Sequence, residues 1–76
     1  MAAKRLKQSL RELLAANLRA ERARRGLTQE DLAGLTGLHP TYISRVEKGG
    51  YNLGIDSIER FSIALGLDPK ELLASR

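Results

Sequence analysis

Hydrophobic residues recur along this chain at steps of three and four, and glycine or proline breaks the pattern at intervals, which predicts helices and no strands. Between residues 4 and 25 neither Gly nor Pro intervenes. Leu6, Leu10, Leu13, Leu14 and Leu18 share one face there, so a first helix is expected over 4–25, ended by Gly26. Thr28 with Asp31 three places on has the form of a capping box and predicts a second helix over about 29–35, stopped at Thr36-Gly37. His39-Pro40 restarts the chain, because proline at the first helical position loses no hydrogen bond, and a third helix is expected over 40–48. After Gly49-Gly50 and a short loop, Ile55, Ile58, Phe61 and Leu65 again have helical spacing up to Gly66. Asp68-Pro69-Lys70-Glu71 then starts a short fifth helix over 69–74.

A chain of 76 residues can build one core, and a domain of this size buries only about 60% of the surface its unfolded chain exposes. Cys is absent and His occurs once, so neither disulfide nor structural zinc is expected as reinforcement, and oligomerisation is the remaining route. No cofactor and no metal are expected. Thirteen Lys and Arg against nine Asp and Glu give a net charge of +4, which suits a polyanionic partner. The apolar runs are too short to span a bilayer and the N-terminus lacks a signal-peptide core. The expectation is a cytoplasmic protein working at the nucleoid, without a membrane partner. No carboxylate pair, Cys/His pair, phosphate-cradling Gly loop or metal cluster stands out, so an enzyme is not expected.

The second and third helices are the informative part. Two short helices joined by a tight turn hold a fixed crossing angle when a small residue lets the backbones approach and apolar residues meet inside, and Ala33, Gly37, Ile43 and Val46 meet that demand. TQEDLAGLTGLHPTYISRVEKG resembles the helix-turn-helix of the phage-repressor-like, or xenobiotic-response-element, family of bacterial regulators. GIDSIERFSIALGLDPKELL echoes the second half of the family's fold. Within the family, TYISRVEKGGYNLGIDSIE is most similar to the controller proteins of restriction-modification systems. The resemblance implies an all-α, compact, five-helix lambda-repressor-like DNA-binding domain, with the helix-turn-helix formed by helices 2 and 3. Residues 13–76 are assigned to this domain and residues 1–12 to a basic N-terminal extension of helix 1.

The same resemblance implies a sequence-specific regulator that binds a palindromic operator on double-stranded DNA as a homodimer, with the third helix in the major groove. Pro40, Thr41, Ser44 and Arg45 are the expected base-reading positions, Arg45 having the geometry for guanine O6 and N7. Pro40 is read as structural first, since its ring has no donor or acceptor. Tyr42 is open between a DNA contact and packing of its ring. Gln29, Thr28, His39, Lys48, Tyr51 and Asn52 are expected at phosphates, with Gln29 the clamp at the start of helix 2; His39 can equally serve as a helix cap. Arg22 and Glu47 stand where relatives place an ion pair joining helix 1 to the end of helix 3.

Leu18, Leu27, Leu32, Leu38, Ile43, Val46, Ile55, Ile58 and Leu65 suffice for a core, which leaves Phe61, Leu67, Leu72 and Leu73 as the expected dimer face, Phe61 and Leu73 foremost. For Leu67 and Leu72, burial by a folded-back fifth helix is the competing expectation. The alternative function is an antitoxin-type protein-interaction module using residues 4–14 against a toxin. The sequence names neither a toxin nor an RNA polymerase contact.

Overall fold

The computed structural model describes residues 8–76 as five helices, α1 (Leu10–Arg24), α2 (Gln29–Thr36), α3 (Pro40–Glu47), α4 (Ile55–Leu65) and α5 (Pro69–Leu72). The order and number agree with the hydrophobic pattern, and each start is set by local chemistry. Ser9 Oγ accepts the Glu12 backbone N–H at 3.1 Å, and Glu12 Oε1 accepts the Ser9 N–H at 3.0 Å. This capping box starts α1 at Leu10, later than the expected residue 4, because it needs Ser9 in extended conformation. The division between residues 12 and 13 therefore falls within the first turn of α1. Lys4, Arg5, Leu6 and Lys7 lie outside the described residues.

Thr28 and Asp31 form the same reciprocal box at the start of α2, with distances of 3.0 and 2.8 Å. The hydrogen bonds from Ser9 and Thr28 hold the carboxyls of Glu12 and Asp31 below the ordinary carboxylate range. Between α2 and α3, Gly37 takes φ +74° and donates its N–H to Ala33 O at 2.8 Å. A side chain there is opposed by the left-handed backbone, while the space is ordinary, the nearest atom to a built Cβ being Arg60 Nη1 at 3.4 Å. Arg60 Nη1 also donates to Thr36 O at 3.1 Å, so α4 closes the open end of α2.

The core is formed by Leu14, Leu18, Leu32, Ala33, Ile43, Val46, Phe61, Leu65 and Leu72. In it α3 packs on α1 and α2, while α4 and α5 pack on α2 and α1 respectively and on each other. Two expectations are corrected here. Ile55 is 80% exposed and is not a core residue. Phe61, expected at a dimer face, is 0% exposed and fills the centre of the protomer; Leu72 is fully buried too, which agrees with the expectation of a folded-back fifth helix. At about 100° per residue, Ile58, Phe61 and Leu65 cluster within about 60° of the helix circumference, and Ile55 falls about 60° beyond Ile58. Leu27, Leu38, Ile58, Leu67 and Leu73 are partly buried against the core.

α5 is shorter than its expected span of 69–74. Asn17 on α1 donates from Nδ2 to Leu72 O at 2.8 Å and to Ala74 O at 2.9 Å, satisfying carbonyls left free where the short helix stops. This side chain fastens the end of the chain to α1. Leu13 and Leu14, within the segment 4–14 considered for a toxin, are buried in the protomer and are not available to a partner.

Candidate nucleic-acid interface

The outer face of α3 carries Pro40, Thr41, Ser44, Arg45 and Lys48, because Ile43 and Val46 are buried on the inner face. Ser44 is half-buried and the other four are exposed. Among the described residues, the side chains of Thr41, Ser44, Arg45 and Lys48 have no internal hydrogen-bond partner, and the row is free to meet a ligand. Pro40 occupies the first helical position. His39 is the N-cap: its Nδ1 accepts the Thr41 N–H at 3.1 Å, which puts the ring proton on Nε2, and the ring is exposed.

α3 is held at both ends. At its C-terminal end Glu47 is 4% exposed, and its carboxylate is fully engaged. Arg22 donates from Nε to Oε2 at 2.7 Å and from Nη2 to Oε1 at 3.0 Å, a bidentate pair, while Arg22 Nη1 donates to Leu27 O at 2.7 Å. The Glu47 carboxylate beside it raises the pKa of Arg22 above its ordinary value. Gln29 Nε2 gives a third hydrogen bond to Oε1 at 3.0 Å. Arg19 Nη1 donates to the Glu47 backbone carbonyl, capping the negative end of α3 with a cation. Gly49, at φ +87°, lets the next turn pass Ala15 and Glu12, whose nearest atoms lie 3.7 and 3.8 Å from a built Cβ.

Tyr42 turns away from the exposed row. Its hydroxyl donates to Ser57 Oγ at 2.9 Å, and its ring meets Tyr51 edge to face, centroids 5.1 Å apart at 81°. The two tyrosines are half-buried and brace the loop after α3 against the start of α4. Thr28 has its N–H and its acceptor oxygen engaged with Asp31, so its free capacity is the hydroxyl proton. Asn52 is exposed and borders a groove with Leu10, Leu53 and Ile55, apart from the row on α3.

Sequence reasoning missed Arg19, Asn17, Ser57 and the Gln29 contact to Glu47. Arg19 lies three residues before Arg22 on the same helical face, which is the signal that could have linked it to the end of α3. The other three act across separations of 55, 15 and 18 residues and leave no local pattern.

A helix-turn-helix family profile matches residues 18–72, a span that begins inside α1 and ends with α5. This chain belongs to the helix-turn-helix family. A hypothetical transcription factor of Neisseria meningitidis serogroup B is 42% identical to it over 66 residues, covering 87% of this chain and 62% of that protein. Control protein C.BamHI of Bacillus amyloliquefaciens is 51% identical over 47 residues, 62% of this chain and 58% of that protein. The chain thus spans less than two thirds of the length of each of these two relatives. The crystal structure of the Neisseria factor superposes with a TM-score of 0.84 at 39% identity, over 97% of this chain and 85% of that one. That of the restriction-modification controller protein C.AhdI from Aeromonas hydrophila gives 0.78 at 37% identity, over 82% and 94%. In this helix-turn-helix protein the matched region contains the whole exposed row of α3 and the network around Glu47.

Proposed function

We propose that this protein is a sequence-specific DNA-binding transcription regulator that places α3 in the major groove of a palindromic operator as a homodimer. The observation that carries this reading is the row Thr41, Ser44, Arg45 and Lys48, exposed or half-exposed and without internal partners among the described residues, on a helix whose other face and both ends are fixed. A rigid helix presenting donors is what base reading needs. Gln29 and the Nε2–H of His39 flank the row as phosphate contacts and Lys48, its last member, is a third, while Tyr51 supports the loop through Tyr42. The similarity to C.BamHI and C.AhdI supports controller-type regulation as the subclass.

Selection of bound sequences from random duplex DNA tests the reading. A two-fold site is expected, with half-sites about one turn, or about 34 Å, apart. In Arg45→Ala, preference at one base position of each half-site should relax by about 5- to 150-fold, from the roughly 1–3 kcal/mol of a bidentate contact, with the far-UV spectrum unchanged. Full retention of the preference would remove Arg45 from the reading row. The measurement belongs at several salt concentrations, because phosphate contacts weaken with salt while base preference persists.

Of the two foremost positions for a dimer face, Leu73 is kept and Phe61 is given up. With Phe61 and Leu72 buried, an apolar surface without a partner among the described residues lies around a groove of about 360 Å³ bordered by Leu10, Leu53, Ile55, Ile58 and Leu73, with buried Leu14 at its floor. Leu10 and Ile55 are exposed at its edge, and Ile63, 74% exposed, stands two turns along α4 from Ile55. Apolar surface of this kind favours a second copy over water. Ile55→Glu should shift the sedimenting species to monomer at micromolar concentration and weaken operator binding, with no loss of helix content. A dimer that survives the change rules out this face.

A further inference from the structure

We propose that Glu47 is a positioning residue for DNA-backbone binding: its carboxylate turns the Gln29 amide so that an N–H, and not the carbonyl oxygen, is offered to a phosphate. The inference rests on the reading that the start of α2 clamps the DNA backbone. Gln29 is the first residue of α2 and half-buried, and its Nε2 lies 3.0 Å from Glu47 Oε1. An ionised carboxylate only accepts hydrogen bonds, so of the two ends of the amide only the NH₂ can face it. The reversed amide sets oxygen against oxygen.

Nε2 carries two hydrogens. One is committed to Glu47, and the second leaves the nitrogen on the side away from the carboxylate. A phosphate also only accepts, so the side chain is set in advance in the orientation a phosphate requires. An unrestrained glutamine amide populates both orientations and must be turned on binding, a loss that fixing it beforehand avoids. The remaining partners of Glu47 fit the same role. Arg22 neutralises the carboxylate through two hydrogen bonds, and Arg19 places a second cation on the Glu47 main chain, so the negative group that orients the amide does not present its charge to an incoming phosphate. Thus the residue that ties α1 to α3 also sets the donor of α2.

Nuclear magnetic resonance of the ¹⁵N-labelled full chain tests this in the free protein. The Gln29 Nε2 proton facing Glu47 should lie downfield of its free-amide position and be protected from exchange, while the other keeps a free-amide shift. On titration with a DNA duplex that signal should persist while the second proton moves downfield. Two protons with free-amide shifts before DNA is added, or a Glu47-facing signal that collapses on binding, would overturn the proposal, and neither measurement requires a variant. A second arm uses affinity. Gln29→Ala should weaken duplex binding about tenfold in the unaltered background, the effect of one hydrogen bond to a charged group. In the Glu47→Gln background, checked for folding by circular dichroism, the same change should weaken it less than twofold. Equal losses in both backgrounds count against positioning. If the unaltered protein binds no duplex, the clamp reading itself fails; a downfield-shifted, exchange-protected Gln29 amide proton would then leave the Glu47 contact as a structural one, separating the two failures.

Discussion

Glu47→Ala is expected to lower the stability of the fold by about 3 kcal/mol, enough to bring the thermal midpoint down by well over ten degrees. Removing one partner of a buried ion pair costs roughly 3–5 kcal/mol because the other charge is left without its counterion. The lower end applies here, since the side chain of Arg22 is 21% exposed and water can reach part of the guanidinium. One further group loses a partner with it, since Gln29 Nε2 loses its acceptor, and the link between α1 and α3 disappears with the bidentate pair. Domains of this size are stable by about 5–15 kcal/mol, so the loss is a large share of the total. Thermal unfolding should show it as a fall of roughly 12–24 °C in the midpoint, at about 4–8 °C per kcal/mol. An unchanged midpoint would mean that the network contributes nothing to stability, and the account of how α3 is held would have to be replaced.

Phe61→Ala should cost about as much, roughly 3–5 kcal/mol, by a different mechanism. Phe61 is among the largest fully buried side chains and lies in the core cluster with Leu14, Leu18 and Leu32. Truncation leaves a cavity that α4 and α5 can only partly close, because α5 is fastened to α1 by Asn17. Denaturant unfolding at several protein concentrations separates this from an interface role. A core residue destabilises the protomer by the same amount at every concentration, whereas a residue buried only between subunits gives a loss that shrinks as concentration rises. A concentration-dependent loss would return Phe61 to the dimer face.

These two residues mark where local reading stops. The starts of α2, α3 and α5 follow from short patterns, Thr28 with Asp31, His39-Pro40 and Asp68-Pro69, because a cap is satisfied within two or three residues of itself, whereas the Ser9–Glu12 box of α1 was overlooked inside an unbroken apolar stripe expected to begin at residue 4. The outward row of α3 was equally legible: once Ile43 and Val46 face inward, helical geometry leaves Thr41, Ser44, Arg45 and Lys48 on the other side. Along α4 the same spacing was ambiguous. It marks an apolar stripe without saying which member lies at the centre of the contact, so Ile55 and Phe61 exchanged their expected places. Tyr42 could not be assigned at all until Ser57 and Tyr51 were beside it.

The sequence by itself determined five helices, the caps of α2, α3 and α5, the turn at Gly37 and the residues that α3 turns outward, since each depends on neighbours a few positions away. Only the tertiary structure decided that Phe61 is core and Ile55 surface, that Asn17 fastens the end of α5, and that Glu47 meets Gln29 as well as Arg22. Those outcomes depend on groups brought together from distant parts of the chain, and packing chooses among patterns that local spacing leaves equivalent.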